Sequence, residues 1–302
     1  MIRMTIADAY AEFMHDRETF AALATIKKYE NDLGLFFRYL TDQTGKEMAA
    51  FSFPRENIFK EYIIYLRSKG LRSVTIRSYC RSVKVFLRFC YEADYCPDYL
   101  KKVKLPRDDA APKIPLYADE VQRIDAALDR STLLGIRNYC IVHLMLDCGL
   151  RRQEVIKLKT DDLIRDRNVI RILDSKGAKS RMTLIPDFLI AAIDEYMHLC
   201  GHTSGIIFRA VRGTGYLTDN SVKMLFQDLK AASGIDRLHA HLLRHTFATS
   251  YLLGGGNLEF LRVFMGHSDY TVTKTYSQLA AQMQMLGADI YHLDPIFFTR
   301  GY

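Results

Sequence analysis

HLLRHTFAT, residues 241–249, sets a histidine, an arginine and a second histidine on one side of an apparent helix. His241, Arg244 and His245 are spaced i, i+3 and i+4, which makes them neighbours on one helical face. Three cation-capable side chains placed together repel one another unless something negative sits opposite. The stretch therefore implies an anionic partner.

The whole composition leans the same way. At 302 residues the chain is long enough for two domains, each with its own core. With 49% hydrophobic and 25% charged residues it reads as globular. Lys and Arg number 42 against 35 Asp and Glu, a net charge of +7, which favours polyanions without proving one. No apolar run reaches membrane-spanning length and no secretory-type leader is visible, so a cytoplasmic protein with no membrane partner is expected. Cys80, Cys90, Cys96, Cys140, Cys148 and Cys200 show no C-x-x-C spacing. They are expected to be small buried hydrophobes, with neither a disulfide framework nor a metal site.

Four of the seven prolines, Pro97, Pro106, Pro112 and Pro115, cluster around LPRDDAAPKIPLY (105–117), which predicts a linker. Residues 1–104 before it are helical in their apolar spacing, with helices expected near 5–14, 18–42, 54–69 and 73–93. Residues 118–302 are mostly helical too, with a tail from about 280. They also hold a β-hairpin signature: NVIRIL (168–173) and SRMTLIP (180–186) flank a turn with Gly177. GIIF (205–208) is a further short strand candidate. The fold class expected is mainly α with a small β-hairpin or sheet.

Charge is concentrated between residues 60 and 107, with twelve basic side chains against four acidic ones. In the helix near 73–93, Arg77, Arg81, Lys84 and Arg88 recur on one stripe, while Ile76, Cys80, Val83, Leu87 and Cys90 form a separate apolar stripe. A lone basic stripe is usually a solvated face. This one lacks interleaved Glu and runs into KKVK (101–104), so Arg72, Arg77, Arg81, Lys84, Arg88, Lys101, Lys102 and Lys104 are read as contacts to a phosphate backbone.

Three further stretches complete the pattern. Arg151 follows Gly149 in LDCGLRRQEVIKL (146–158), Lys176 lies in the hairpin turn, and MGHSDYTVTKTYSQL (265–279) sets His267 nine residues before Tyr276. Singly, each has a bland reading: surface charge, a turn lysine, a core tyrosine. Together they suit phosphodiester transfer. Arginine forks donate paired hydrogen bonds to phosphate oxygens as charge develops there. A tyrosine, with an ordinary pKa of about 10, can attack phosphorus if a base takes its proton. A histidine can be that base, and a lysine can protonate the departing oxygen. On this reading the partner of HLLRH is a DNA phosphate.

These residues resemble the tyrosine recombinase (phage integrase) family, in layout the compact bacterial Xer-type and transposon integrases. The matching positions are Gly149-Leu150-Arg151 with Glu154, Lys176 in SKGAKSR, His241 and Arg244 in HLLRHTFAT, His267 in MGHS, and Tyr276. The resemblance implies a helical core-binding (SAM-like) domain followed by a mixed α/β catalytic domain, clamping DNA between them. It implies that Tyr276 attacks the scissile phosphate to leave a 3′-phosphotyrosyl link and a free 5′-hydroxyl, with Arg151, Arg244 and His267 on the phosphate oxygens. His241 would be the general base and Lys176 the general acid. Glu154 would orient Arg151, and His245 would support the site or belong to the core. Neither a cofactor nor a metal is implied.

The partners implied are double-stranded DNA with an inverted-repeat core site and a tetramer on two duplexes, serving integration or excision of a mobile element or Xer-like resolution. The tail residues Met283, Leu286, Ile290, Leu293, Ile296, Phe297 and Phe298 either pack on their own domain or dock on a neighbouring protomer. Three rivals remain at this level: a DNA-binding architectural protein with dead chemistry, a type IB topoisomerase, and a zinc enzyme using His239, His241 and His245.

Overall fold

The computed structural model describes residues 5–44, 57–101, 103–106, 113–173, 180–210, 215–266 and 270–299. The chain divides into two compact units, Met1–Ala111 and Pro112–Tyr302. Among the described residues no helix is long and apolar enough to cross a membrane.

The first unit is helical: α1 (Ile6–Glu18), α2 (Leu23–Thr44), α3 (Ile58–Ser68) and α4 (Ser73–Glu92). Thr5 and Asp8 cap α1 reciprocally, Asp8 N–H donating to the Thr5 hydroxyl at 3.0 Å. The sequence reading ends this helix near residue 14 and starts the next at 18. The structure instead carries α1 to Glu18, because the Arg17 guanidinium lies over the Phe13 and Phe20 rings and Met14 is buried. The core is aromatic, with Phe13, Phe36, Tyr62 and Phe86 fully buried. On α4 the stripe Ile76, Cys80, Val83, Leu87 and Cys90 is buried, and Ser82 donates to Asp32 at 2.5 Å, tying α4 to α2. Arg72, Arg81, Lys84 and Arg88 face outward, as do Lys101 and Lys104. Arg77 is half-buried and donates to the Pro106 carbonyl at 3.0 Å. Lys102 lies outside the described residues.

The second unit contains α5 (Ala118–Ala126), α6 (Leu133–Leu146), α7 (Arg152–Lys157), β1 (Leu163–Ile164), β2 (Val169–Ile172), β3 (Arg181–Leu184), α8 (Asp187–Leu199), α9 (Asp219–Ser233), α10 (Ala240–Leu253), α11 (Leu258–Met265), α12 (Tyr270–Met285) and the short α13 (Ile296–Thr299). The antiparallel sheet has the order β1-β2-β3, with Ile170 opposite Thr183. The hairpin expected from the sequence is β2-β3; its turn, with Lys176, lies outside the described residues. The strand expected at 205–208 is not formed. Ile206 and Arg209 make only isolated bridges, to Lys159 and Tyr216, and Ile207 N–H donates to the Leu158 carbonyl at 2.9 Å. That segment serves two different partners within four residues, too short a run for a ladder on either.

Helix α6 is mostly apolar and buried beyond its first turn, with Ile136, Cys140, Ile141, Leu144 and Met145 in the core, and α8 and α10 pack against it. All six cysteines are free; Cys80, Cys90, Cys140 and Cys148 are buried and Cys96 and Cys200 partly so. The end of the proline-rich segment belongs to this unit. Leu116 is buried and its N–H donates to the Thr246 hydroxyl at 2.9 Å. The end of α12 and the chain after it return to the same place: Ile290 bridges Tyr117, and Met283, Leu293 and Phe297 are buried, while Leu286 and Phe298 are exposed and Ile296 is partly exposed. The tail of the described chain thus packs on its own unit.

A candidate active site

The site starts from a helix beginning. Arg151 is the N-cap of α7, and Glu154 is the third helical residue, so its carboxylate can reach back to the cap. It accepts the Arg151 backbone N–H at 2.6 Å and Arg151 Nη1 at 2.9 Å. The R-x-x-E spacing therefore positions both the helix and the guanidinium. Gly149, two residues earlier, turns the chain at φ +66°; a Cβ there would stand 2.6 Å from a Phe247 ring carbon. The turn leaves the Gly149 carbonyl to accept Arg244 Nη1.

Arg244, on α10, is buried, and its Nη2 donates to the Met265 carbonyl. Arg151 Nη2 donates to the next carbonyl, Gly266, at 3.0 Å. A third arginine, Arg181 of β3, donates Nε to the preceding one, Phe264, at 2.8 Å. Three consecutive carbonyls at the end of α11 thus each receive a different guanidinium. A helix leaves its last carbonyls without helical partners and carries partial negative charge there, which suits arginines. Gly266 turns the chain away at φ +57°, with the Arg181 stem against its Cα.

Arg181 also grips Glu154 with both Nη atoms, at 2.7 and 2.6 Å. Burial pushes the Glu154 carboxyl up, but Arg181, the Arg151 backbone and Arg244 outweigh it, so Glu154 stays below its ordinary range. Three guanidiniums around one carboxylate leave an excess of positive charge. Burial, Arg151 and Arg181 together push the Arg244 guanidinium down to about 9, an environment short of an anion. Next to Arg151 lies a recess of about 680 Å³ whose lining includes Lys157, Lys159 and Arg171.

Tyr276 lies on α12, which packs along α10. Its ring is 5.1 Å from the His245 ring. Burial raises the Tyr276 hydroxyl, while Arg244 and Arg151 pull it down. His245 directs Nε2 to the Lys113 carbonyl at 2.5 Å, and burial lowers its pKa. His241 is exposed on the same helix; partial desolvation, then the Arg244 charge, lowers its pKa, so it is neutral near pH 7 and able to accept a proton. His239 directs Nδ1 to the Arg237 carbonyl at 2.6 Å.

The structure therefore brings Arg151, Glu154, Arg244, His245 and Tyr276 together and sets His241 within the Arg244 field. Lys176 and His267 lie outside the described residues. Sequence reasoning missed Arg181. The only sequence signal for it was its place on a strand that begins just after a catalytic-type turn.

Residues 115–283 match the phage integrase family. The chain is 31% identical to tyrosine recombinase XerD of Caulobacter vibrioides, over 91% of this chain and 92% of that protein. It is 27% identical to XerC of Bacillus pumilus, over 92% and 93%. Among solved structures it resembles the Tn1549 transposon integrase in complex with a circular intermediate DNA, with a TM-score of 0.74 at 20% identity, covering 94% of this chain and 99% of that one. It also resembles XerH recombinase bound to palindromic difH, with a TM-score of 0.72 at 20% identity, covering 90% and 80%. The chain belongs to the phage integrase family and is a tyrosine recombinase of the Xer kind.

Proposed function

We propose, with membership of the phage integrase family as the premise, that this enzyme cleaves and rejoins DNA strands at a specific site through a phosphotyrosine link at Tyr276. The observation that carries the reading is a half-buried tyrosine in the field of two arginines, Arg244 and Arg151, both anchored on backbone carbonyls. Fixed donors of this kind cost no reorganisation as charge builds on the phosphate, and losing one in a dry site typically lowers a rate ~10²–10³-fold.

In this scheme the scissile phosphate fills the anion-deficient space beside Arg244 and Arg151, and His267 adds a donor. The phosphate lowers the cost of the arginine cluster, and His241 takes the Tyr276 proton. Tyr276 Oη forms its bond to phosphorus as the bond to the 5′-oxygen breaks, and Lys176 gives that oxygen a proton. A 5′-hydroxyl from another strand reverses the step. The ester bond is conserved in the protein link, so the chemistry runs without ATP and with a chelator present. The outward stripe Arg72, Arg81, Lys84 and Arg88 with Lys101, Lys102 and Lys104 meets the DNA backbone; Arg77 contributes by fixing the segment at Pro106. Four protomers act on two duplexes in the cytoplasm, at the nucleoid or a mobile element, and in that assembly the tail exchanges its position on its own unit for one on a neighbour.

The test incubates wild type and Tyr276→Phe with a pool of nicked duplexes covering the source genome, in EDTA. A protein–DNA band on a denaturing gel with wild type, absent with the variant, supports the reading, and sequencing the captured DNA gives the site. A band that survives in Tyr276→Phe means that another residue is the nucleophile. Tight binding with no band from any duplex means that the protein organises DNA without cutting it.

A further inference from the structure

Arg181 is built into the site more firmly than any position the chemistry requires it to occupy. Its side chain is 9% exposed and all three of its nitrogens are committed: Nη1 and Nη2 to the two Glu154 oxygens, Nε to the Phe264 carbonyl. Three of its five N–H donors are thus spent on protein acceptors, which fixes where the guanidinium sits. Its strand neighbours fix it further. Arg181 pairs with Ile172 in the β2-β3 register, and two residues on, the buried Thr183 hydroxyl donates to the Cys148 carbonyl at 3.1 Å, just before the Gly149 turn. The strand thus braces the arginine loop at two points.

We propose that Arg181 is a positioning residue for strand cleavage: it holds the Glu154 carboxylate, and through it the Arg151 guanidinium, in register with the α11 end that holds Arg244. This rests on the recombinase reading above. Without Arg181, Glu154 keeps only Arg151 as a close ion-pair partner and is free to turn about its own helix. The Arg151 fork then loses its fixed relation to the Gly266 carbonyl. Phosphate binding needs only positive charge nearby, which survives; transition-state stabilisation needs the fork aimed, which does not. The bidentate geometry also separates arginine from lysine, because an ammonium cannot span both carboxylate oxygens and the carbonyl together.

The experiment uses the full chain and the duplex captured with wild type. Single-turnover cleavage at saturating DNA, duplex affinity and thermal melting are measured for Arg181→Ala, Arg181→Lys, Glu154→Gln and the Arg181→Ala, Glu154→Gln pair. Misaiming a catalytic group by about an ångström costs ~10²-fold, so cleavage is expected to fall ~10–100-fold with affinity within about threefold. Lysine should do little better than alanine. The pair should be no slower than the worse single variant, as for residues acting as a unit. Free guanidinium should restore part of the rate to Arg181→Ala. The acid limb of its rate profile should also move to higher pH, because Glu154, among Arg151, Arg181 and Arg244, loses its strongest cation; a role in packing alone would not shift it.

Should Arg181→Ala fail to melt cooperatively, Arg181→Gln with Glu154→Gln, which leaves neither charge of the pair unmatched, replaces it against Glu154→Gln alone. Cleavage at the wild-type rate in that comparison, or an affinity loss equal to the rate loss, overturns the proposal while the recombinase reading stands. Failure of wild type itself to form an adduct overturns that reading and this one with it.

Discussion

Gly149 and Gly266 show how much of the anchoring of Arg244 and Arg151 comes from backbone carbonyls, with Glu154 as the side-chain partner of Arg151. Each turns the backbone with positive φ, and each offers its carbonyl to a guanidinium. Gly149 has a second constraint, since a Cβ would meet the Phe247 ring at 2.6 Å, whereas Gly70, at φ +71°, has nothing within 4 Å. The two positions separate strain from crowding. Gly70→Ala should cost about 1–2 kcal/mol from left-handed strain alone. Gly149→Ala should add roughly 1–3 kcal/mol of overpacking, and it should slow cleavage by displacing the carbonyl under Arg244. Urea unfolding and adduct formation decide this; equal costs, with full cleavage by Gly149→Ala, would show that the turn does not position the arginine. Arg151, Glu154, Arg244 and Tyr276 were legible in the sequence because each lies in a spaced motif. Arg181 was not, because an arginine on a short strand reads as surface charge until its register against Ile172 and its partner Glu154 are known.

The elements divide similarly. Helix α4 could be read almost to the residue, since burial follows the 3.6-residue period and its apolar stripe has no competing use. Helix α11 carries no catalytic motif of its own within Leu258–Met265, and its role comes from where its carbonyls end, which only the tertiary fold reveals. The short β1 and the unformed strand at 205–208 were beyond sequence periodicity for the same reason: two or three paired residues set no pattern. For α4 the outward basic face has a measurable consequence. If Arg81, Lys84 and Arg88 each neutralise a phosphate, replacing all three with Gln should lower the slope of log affinity against log salt by about 2.7, at ~0.9 per contact. Since all three are exposed, melting should hardly change. An unchanged slope in a titration across salt would return the stripe to an ordinary solvated surface.

Across the whole second unit, one buried polar network links the tail to the arginine loop. Asp147, four residues before Arg151, accepts the Tyr291 hydroxyl at 2.8 Å and faces His143 Nδ1 at 2.7 Å, while His143 Nε2 faces Asp125 at 2.9 Å. The Tyr139 ring lies 4.1 Å from the imidazole and the Phe188 edge closes the other side. Burial opposes a charge on His143, but the two carboxylates override it and raise its pKa to about 9. The folded value lies above the unfolded one of about 6.5, so the protonated form stabilises the fold. That stabilisation is complete below about pH 6.5 and fades as pH rises through about 9. At 1.36 kcal/mol per unit it amounts to roughly 3 kcal/mol. Wild type should therefore lose stability between pH 6.5 and 9.5 relative to His143→Gln, whose carboxylate neighbours have no proton to lose with it. Urea unfolding across that range measures the difference, and parallel pH dependences for the two proteins would mean that His143 is not charged in the fold. Because Tyr291 shares Asp147, hydrogen exchange at residues 290–293 should quicken over the same pH interval in wild type. If it does, release of the tail and the setting of the Arg151 loop are joined through one carboxylate, which is the coupling a recombinase needs if its tail is to leave its own unit only when a neighbour is there to receive it.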